Sequence, residues 1–203
     1  EGIKVSHVYK AFGKEQVLQD ISFTIPEGQI YGVVGNNGSG KTVLMKCICG
    51  FLKCDRGVIE VNGKRVGKDV DFPDHLGVII ETPGFLPNLT GYKNLKILAS
   101  LKARIDKEEI RATMQMVGLD PDMNKPVSKY SLGMRQRLGI AQAIMENPDI
   151  LILDEPFNGL DRYGVVEIRE LLKQLKADGK AILLASHNAQ DIEELCDDVM
   201  DLT

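Results

Sequence analysis

Hydrophobic and polar positions change their period three times along the chain, and each change predicts a different kind of element. From Ile3 to about Gly67 short alternating or apolar stretches are broken by turns, as in Ile21-Ser22-Phe23-Thr24-Ile25 before Pro26-Glu27-Gly28, and Val58-Ile59-Glu60-Val61 before Asn62-Gly63. A period of two closed by turn residues predicts strands. Between about Pro83 and Asn147 the period lengthens. Leu95, Leu98 and Leu101 recur every three residues, then Ile110, Met114 and Val117 every three to four, which predicts helices. Asp106 ahead of Glu108 and Glu109 reads as a helix start and Gly118 as a helix stop.

Two unbroken apolar blocks follow, Ile150-Leu151-Ile152-Leu153 and Ala181-Ile182-Leu183-Leu184-Ala185. Blocks of that length without alternation suit strands buried on both faces of a parallel sheet. Between them an amphipathic helix is expected from about Tyr163 to Ala177, stopped at Asp178-Gly179. The pattern is that of an α/β core with a mostly helical lobe, about residues 83–147, inserted in its middle.

The candidate chemistry sits at the seams of this pattern. Gly35-Asn36-Asn37-Gly38-Ser39-Gly40-Lys41-Thr42 lies between the apolar run Ile30-Tyr31-Gly32-Val33-Val34 and a helix-like stretch that opens with Val43. It matches G-x-x-x-x-G-K-[ST] at every fixed position. Such a loop turns backbone N–H groups inward at a helix N-terminus and cradles phosphates; Lys41 can reach the β- and γ-phosphates, and the Thr42 hydroxyl can hold Mg²⁺. Asp154 and Glu155 end the apolar block 150–153. At the C-terminal end of a buried strand, Asp154 can hold Mg²⁺ opposite Thr42, and Glu155 can act as general base on a water. Alone, the pair could equally cap a helix or line a surface turn.

Composition removes some classes of function. The net charge of −4 over 203 residues argues against a dedicated nucleic-acid partner. No apolar run approaches the roughly twenty residues of a membrane-spanning helix, so any membrane role has to come through a partner. Cys47, Cys49, Cys54 and Cys196 form no C-x-x-C pair, and reduced thiols in a cytosolic compartment are expected.

The same residues carry a family resemblance. Residues 35–42, Ser131-Leu132-Gly133-Met134-Arg135-Gln136-Arg137, Leu153-Asp154-Glu155-Pro156, Asn158-Gly159-Leu160-Asp161 and Ser186-His187 stand in the order and rough spacing of ATP-binding cassette (ABC) ATPases. The resemblance covers nearly the whole chain. It implies a P-loop NTPase with a mostly parallel central sheet, an N-terminal antiparallel β subdomain and the inserted helical lobe, all in one domain over residues 1–203. It also implies ATP and Mg²⁺ as ligands, and a head-to-tail dimer with a second cassette, most simply a homodimer. In such a dimer Ser131 and the backbone of Gly133 would touch the γ-phosphate across the interface. Met134 stands where the family has a glutamine, so a polar contact is lost there. By the same resemblance His187 senses the γ-phosphate and steadies Glu155, Asp161 organises the interface near His187, Val43 adjoins the nucleotide, and Phe12 stacks on adenine. Tyr9 is the rival for that last role.

Glu81 departs from the family. It ends Val78-Ile79-Ile80 where the family normally carries a glutamine. A carboxylate there should tighten metal coordination, yet repel the γ-phosphate when the metal is absent, so Glu81 joins Lys41, Glu155 and His187 as a catalytic candidate and Thr42 and Asp154 as a metal candidate. This acid together with Ser131-Leu132-Gly133-Met134 is similar to cassettes of bacterial exporters for antimicrobial peptides, of lantibiotic-immunity and bacitracin-resistance type. The resemblance then implies an integral membrane permease as partner, met by the loop after Glu81 and the helical lobe, where Phe85, Leu86 and Leu89 could equally dock or be buried in their own lobe, with the chain cytoplasmic and peripheral to the membrane's inner face. A soluble ABC ATPase acting on DNA or the ribosome would usually carry a coiled-coil insertion, a zinc hook or a second cassette, and none is present. A nucleotide-dependent module that does not hydrolyse is opposed by Lys41, Asp154, Glu155 and His187. The chain stops at Asp201-Leu202-Thr203, in what reads as one of the last strands (about residues 198–202), and family members usually continue, so a missing tail is expected.

Overall fold

The computed structural model describes residues 2–36, 38–81, 84–102 and 105–202, without the Lys102 side chain. β1 (Ile3–Phe12) and β2 (Glu15–Ile25) form a hairpin, and β3 (Ile30–Val34) leads through the glycine loop into α1 (Lys41–Cys49). β4 (Arg56–Val61) and β5 (Lys64–Arg65) turn at Asn62-Gly63, and β6 (Leu76–Ile79) precedes α2 (Gly91–Lys102), α3 (Lys107–Met116) and α4 (Leu132–Ile144). The chain closes with β7 (Ile150–Asp154), α5 (Arg162–Ala177), β8 (Ala181–Ala185), α6 (Ala189–Leu195) and β9 (Asp198–Asp201). An antiparallel sheet has the order β2-β1-β4-β5, and a second sheet, parallel throughout, has the order β6-β7-β8-β3-β9.

The parallel strands divide their side chains by parity, as a strand covered on both faces must. Ile150, Ile152, Leu183, Tyr31 and Val33 face one core, which also holds Leu44, Met45 and Ile48 of α1 and Val5, Leu18, Phe23 and Ile59 of the antiparallel sheet. Leu151, Leu153, Ile182, Leu184 and Ile30 face the other core, shared with Leu95, Met114 and Leu138 of α2–α4 and with Ile168, Leu172, Ile192 and Leu195 of α5 and α6. Cys47 and Cys49 belong to the first core. Burial pushes their thiols up to about 11 and about 12, so both stay protonated and pack as small apolar groups.

The expected helix over 107–117 forms as its pattern indicates: Asp106 accepts a hydrogen bond from the Glu109 N–H, and Gly118 leaves the helix at φ 84°. The helix expected over Leu95, Leu98 and Leu101 forms as α2, with Leu101 75% exposed although Leu95 is fully buried. Steps of three fall about 60° short of a full turn each time, so two such steps carry Leu101 off the buried face. The first strands run longer than their apolar cores. β2 extends back to Glu15 through polar residues because its outer face meets solvent, and irregularities in the β1–β2 pairing, with His7 of β1 and Asp20 of β2 at φ near 50°, break the alternation that would have announced it.

α4 lies directly on β6. A Cβ at Gly77 would stand 2.0 Å from the Ala143 carbonyl oxygen and 2.6 Å from Leu151 Cδ2, so only glycine lets helix backbone meet strand backbone here. Gly77→Ala should therefore cost about 2 kcal/mol or more, within the range of overpacked cores. For a chain of this size that is roughly 4–8 °C in melting temperature. Thermal denaturation followed by circular dichroism checks it; an unchanged midpoint would mean that α4 can back away from β6 freely.

Candidate active site

All strands of the parallel sheet point the same way, so their C-terminal ends gather at one edge. β3 enters the glycine loop there, β7 ends in Asp154 and continues to Glu155, β8 continues to Ser186 and His187, and β6 is followed by Glu81. The sheet order β6-β7-β8-β3 makes these ends neighbours.

α1 starts behind Gly40, whose φ of 100° lies in the left-handed region, and among the described residues no side chain caps the helix. Its first amides are thus left for an anion. Ser39 Oγ is buried with no hydrogen-bond partner among the described residues. Lys41 is only 6% exposed. Its ammonium donates to the Gly35 carbonyl and stands 3.8 Å from Glu155 Oε1. An ammonium carries three donors, so phosphate oxygens can replace the carbonyl. The Thr42 hydroxyl donates to Asp154 Oδ2 at 2.8 Å.

Glu155 adopts φ 51°, a left-handed conformation that costs a non-glycine residue of order 1–3 kcal/mol. The surroundings hold it in place. Its N–H donates to the Ala185 carbonyl at 2.8 Å, and Gln136 Nε2 donates to its carbonyl at 3.2 Å and to that of Pro156 at 3.0 Å. His187 Nδ1 lies 2.9 Å from Glu155 Oε2. The carboxylate can only accept, so the proton of this bond is on Nδ1. Behind His187, the Ser186 hydroxyl donates to Asp191 Oδ2 at 3.3 Å and accepts from the Asn188 N–H. Asp191 is 2% exposed and paired with Arg169. A buried charge pair of this kind resists rearrangement because neither partner can be left alone cheaply.

These residues fit a nucleoside triphosphate and its metal. An orphaned buried hydroxyl, an uncapped helix start and a buried lysine supply the anion site. One hydroxyl beside one carboxylate is the donor set that Mg²⁺ takes when phosphates and waters complete its shell. Phe12, Val17, Gly40, Lys41, Thr42 and Val43 border a cleft of about 340 Å³ above the loop. Phe12 is half-exposed, whereas the Tyr9 ring carries the Arg56 guanidinium 4.0 Å from its centroid. The Phe12 ring likewise carries the Lys10 ammonium, 5.2 Å from its centroid, so what separates the two aromatic candidates is that Phe12 borders the cleft. Asn36 contributes its carbonyl to the Ser39 N–H. Asn37 lies outside the described residues, as do Thr82 and Pro83 beyond Glu81.

The structure thus brings Lys41, Thr42, Asp154, Glu155 and His187 together. Ser131 caps α4: its Oγ accepts the Met134 N–H, which does not use the hydroxyl's own proton. Gly133 packs against Gly159, where a Cβ would stand 2.8 Å from the carbonyl oxygen, and Met134 packs against the helical core. Asp161 caps α5 by accepting from the Gly164 N–H at 2.7 Å. Glu81 has φ 64°, accepts from Lys46 Nζ at 2.9 Å, and borders a cleft of about 400 Å³ with Gln136, Asp154 and Glu155. Gln136, Lys46 and the Asp191–Arg169 pair escaped the sequence reading. Only Gln136 left a signal, a polar residue at a buried position between Met134 and Leu138.

A family model described as ABC transporter matches residues 18–158. The chain is 42% identical over 200 residues to the ABC transporter ATP-binding protein YybJ of Bacillus subtilis, covering 98% of this chain and 92% of that one. It is 42% identical over 197 residues to the bacitracin transport ATP-binding protein BcrA of Enterococcus faecalis, covering 96% of this chain and 64% of BcrA. With the lantibiotic transport ATP-binding protein SrtF of Streptococcus pyogenes the identity is 36% over 196 residues, covering 96% and 84%. Among solved structures, an ATP-binding subunit of an ABC transporter superposes with a TM-score of 0.87 at 28% identity, over 99% of this chain and 85% of that one. A dimeric bacterial ABC transporter cassette superposes with a TM-score of 0.86 at 23% identity, over 98% and 94%.

Replacing Gln136 with leucine keeps the volume but leaves the Glu155 and Pro156 carbonyls without that donor. Unpaired buried acceptors cost about 1–3 kcal/mol each, and the loss falls on the backbone that aims Glu155. Gln136→Leu should lower the rate of phosphate release from ATP about tenfold, as expected for a loosened catalytic group, while ATP affinity changes less than about twofold. Steady-state turnover and equilibrium nucleotide titration separate the two effects; equal losses in both would point to a general collapse of the cleft.

Proposed function

This chain belongs to the ABC transporter family of ATPases, and we propose that it drives a separate membrane permease that exports an antimicrobial peptide or another drug. The observation that carries the catalytic part is the cluster at one sheet edge, with Thr42 on Asp154 and Glu155 between Lys41 and His187.

In this reading ATP lies along residues 35–42 with its adenine against Phe12 and its ribose side near Val43. The loop amides, Ser39 and Lys41 take up the charge of the phosphates. Mg²⁺, held by Thr42 and Asp154 with Glu81 at the border of the cleft, supplies further charge neutralisation when bound. Glu155 accepts the proton of the attacking water, and His187 fixes the direction of the carboxylate through Oε2. Ser131 and the Gly133 backbone, at the amide end of α4, meet the γ-phosphate of a second cassette's nucleotide. Met134 lends no side-chain contact to that phosphate, because its side chain packs inward. Asp161 stands at the subunit boundary near His187. The pair of cassettes is head to tail and homomeric. The ATPase family membership and the dimeric state of a cassette of the same fold support this assembly.

Export is supported by the relatives named for bacitracin and lantibiotic transport. Among the described residues no helix is long and apolar enough to cross a membrane, so the transport reading places the chain on the membrane's inner face through its permease. The lobe of about residues 83–147 would meet that permease. Leu86 is half-exposed there, while Phe85 packs against the lobe's own core, so Leu86 is offered as an apolar contact and Phe85 is not.

Glu155→Gln should bind ATP, accumulate as a dimer and turn over at least about 100-fold more slowly, the lower bound for losing a general base. Size-exclusion chromatography with ATP and a phosphate-release assay read both. Wild-type turnover in this variant would remove Glu155 from its role. Co-purification of the wild-type chain with ribosomes or DNA, in place of a permease, would overturn transport while leaving the ATPase standing.

A further inference from the structure

Glu81 brings a third carboxylate to a cleft already lined by Asp154 and Glu155, and that cleft borders residues built to receive a polyanion. An added negative charge there works against the phosphates wherever no cation screens it. Lys46 answers this charge. It stands four residues after Thr42, one turn along the same face of α1, and its ammonium meets Glu81 Oε1 at 2.9 Å. Glu81 reaches this contact in a left-handed conformation, φ 64°, which a non-glycine residue keeps only when its surroundings hold it. A glutamine at this position would offer Lys46 a neutral oxygen and would need no counter-charge.

We propose that Lys46 is a positioning residue that holds the Glu81 carboxylate on the α1 side of the cleft, so that the site can take up a triphosphate before a divalent cation arrives. The proposal rests on the nucleotide site described above. The pair is partly open to solvent, with side chains 30% and 64% exposed, so its effect is modest and salt-dependent. When a divalent cation binds beside Thr42 and Asp154, it screens Glu81 directly and the contribution of Lys46 falls away.

The test is a double-mutant cycle on metal-free binding of ATP carrying a fluorescent ribose label, measured in EDTA with Lys46→Met, Glu81→Gln and the double variant. Lys46→Met should weaken binding about fivefold in the parent chain and less than about twofold beside Glu81→Gln, the signature of a coupled pair. The parent-chain loss should shrink below about twofold at saturating Mg²⁺, and Lys46→Arg should keep the parent affinity. Lys46→Gln carries the same comparison if the methionine variant does not fold. An equal loss in both backgrounds, or no loss in either, would overturn the proposal. Failure of the parent chain itself to bind ATP would instead fall on the assignment of the phosphate loop.

Discussion

A parallel strand cannot turn straight back beside its neighbour; the chain must cross over a face of the sheet and start again from the same side. Five strands joined under that constraint deliver all their C-terminal ends to one edge. Residues as far apart in the chain as Lys41, Asp154 and His187 meet for this reason, without any long-range signal written between them. The crossovers also cover both faces of the sheet, which is why it needs two cores and why its strands are apolar without alternation. The position of the site and the division of the core are two results of one topological restriction.

Charge balance decides how the gathered groups rest. Lys41 leans on a loop carbonyl and on Glu155, His187 on Glu155, and Lys46 on Glu81. Each of these donors is thus matched with an acceptor of the protein's own, and a bound polyanion has to compete for them. Partners of this kind keep the Lys41 side chain aimed at the loop, and phosphate oxygens, being strong charged acceptors, can take their place. The strained backbone at Glu155 serves the same arrangement. Its φ of 51° is stabilised by Ala185 on one side and Gln136 on the other, so the carboxylate is directed by the main chain as well as by His187.

What the sequence disclosed and what it hid follow from the range of each interaction. The glycine loop, the unbroken blocks of β7 and β8 and the Asp106 cap are local, and local chemistry is legible because its partners lie within a few residues. Leu101 lies in the helix that its interval announces, but repeated steps of three drift around the helix and carry it off the buried face. The choice between Tyr9 and Phe12 turned on which ring borders the cleft above the glycine loop, and the partner of Glu81 turned on a helix packed against a different strand. Gln136 is the instructive case. Its place in a recognisable motif was plain, but the two carbonyls it satisfies belong to the turn after β7, and only the packed structure brings them within reach.

α4 links the two halves of the proposed mechanism. At its N-terminal end Ser131 caps it and Gly133 abuts the Gly159 carbonyl; at its C-terminal end the Ala143 carbonyl abuts Gly77. Between them Gln136 grips the Glu155 backbone, and Arg137 reaches the Val117 carbonyl and Glu167. A close-packed helix fixed at both ends by backbone contact behaves as a rigid body. Its exposed amide end and the strained turn of Glu155 therefore cannot shift independently. If Ser131 and Gly133 engage a phosphate on a second subunit, the force on α4 is transmitted through Gln136 to the residue that activates water. In the proposed mechanism such an arrangement would make hydrolysis sensitive to the presence of a partner, with Gln136 acting on Glu155 without itself meeting ATP.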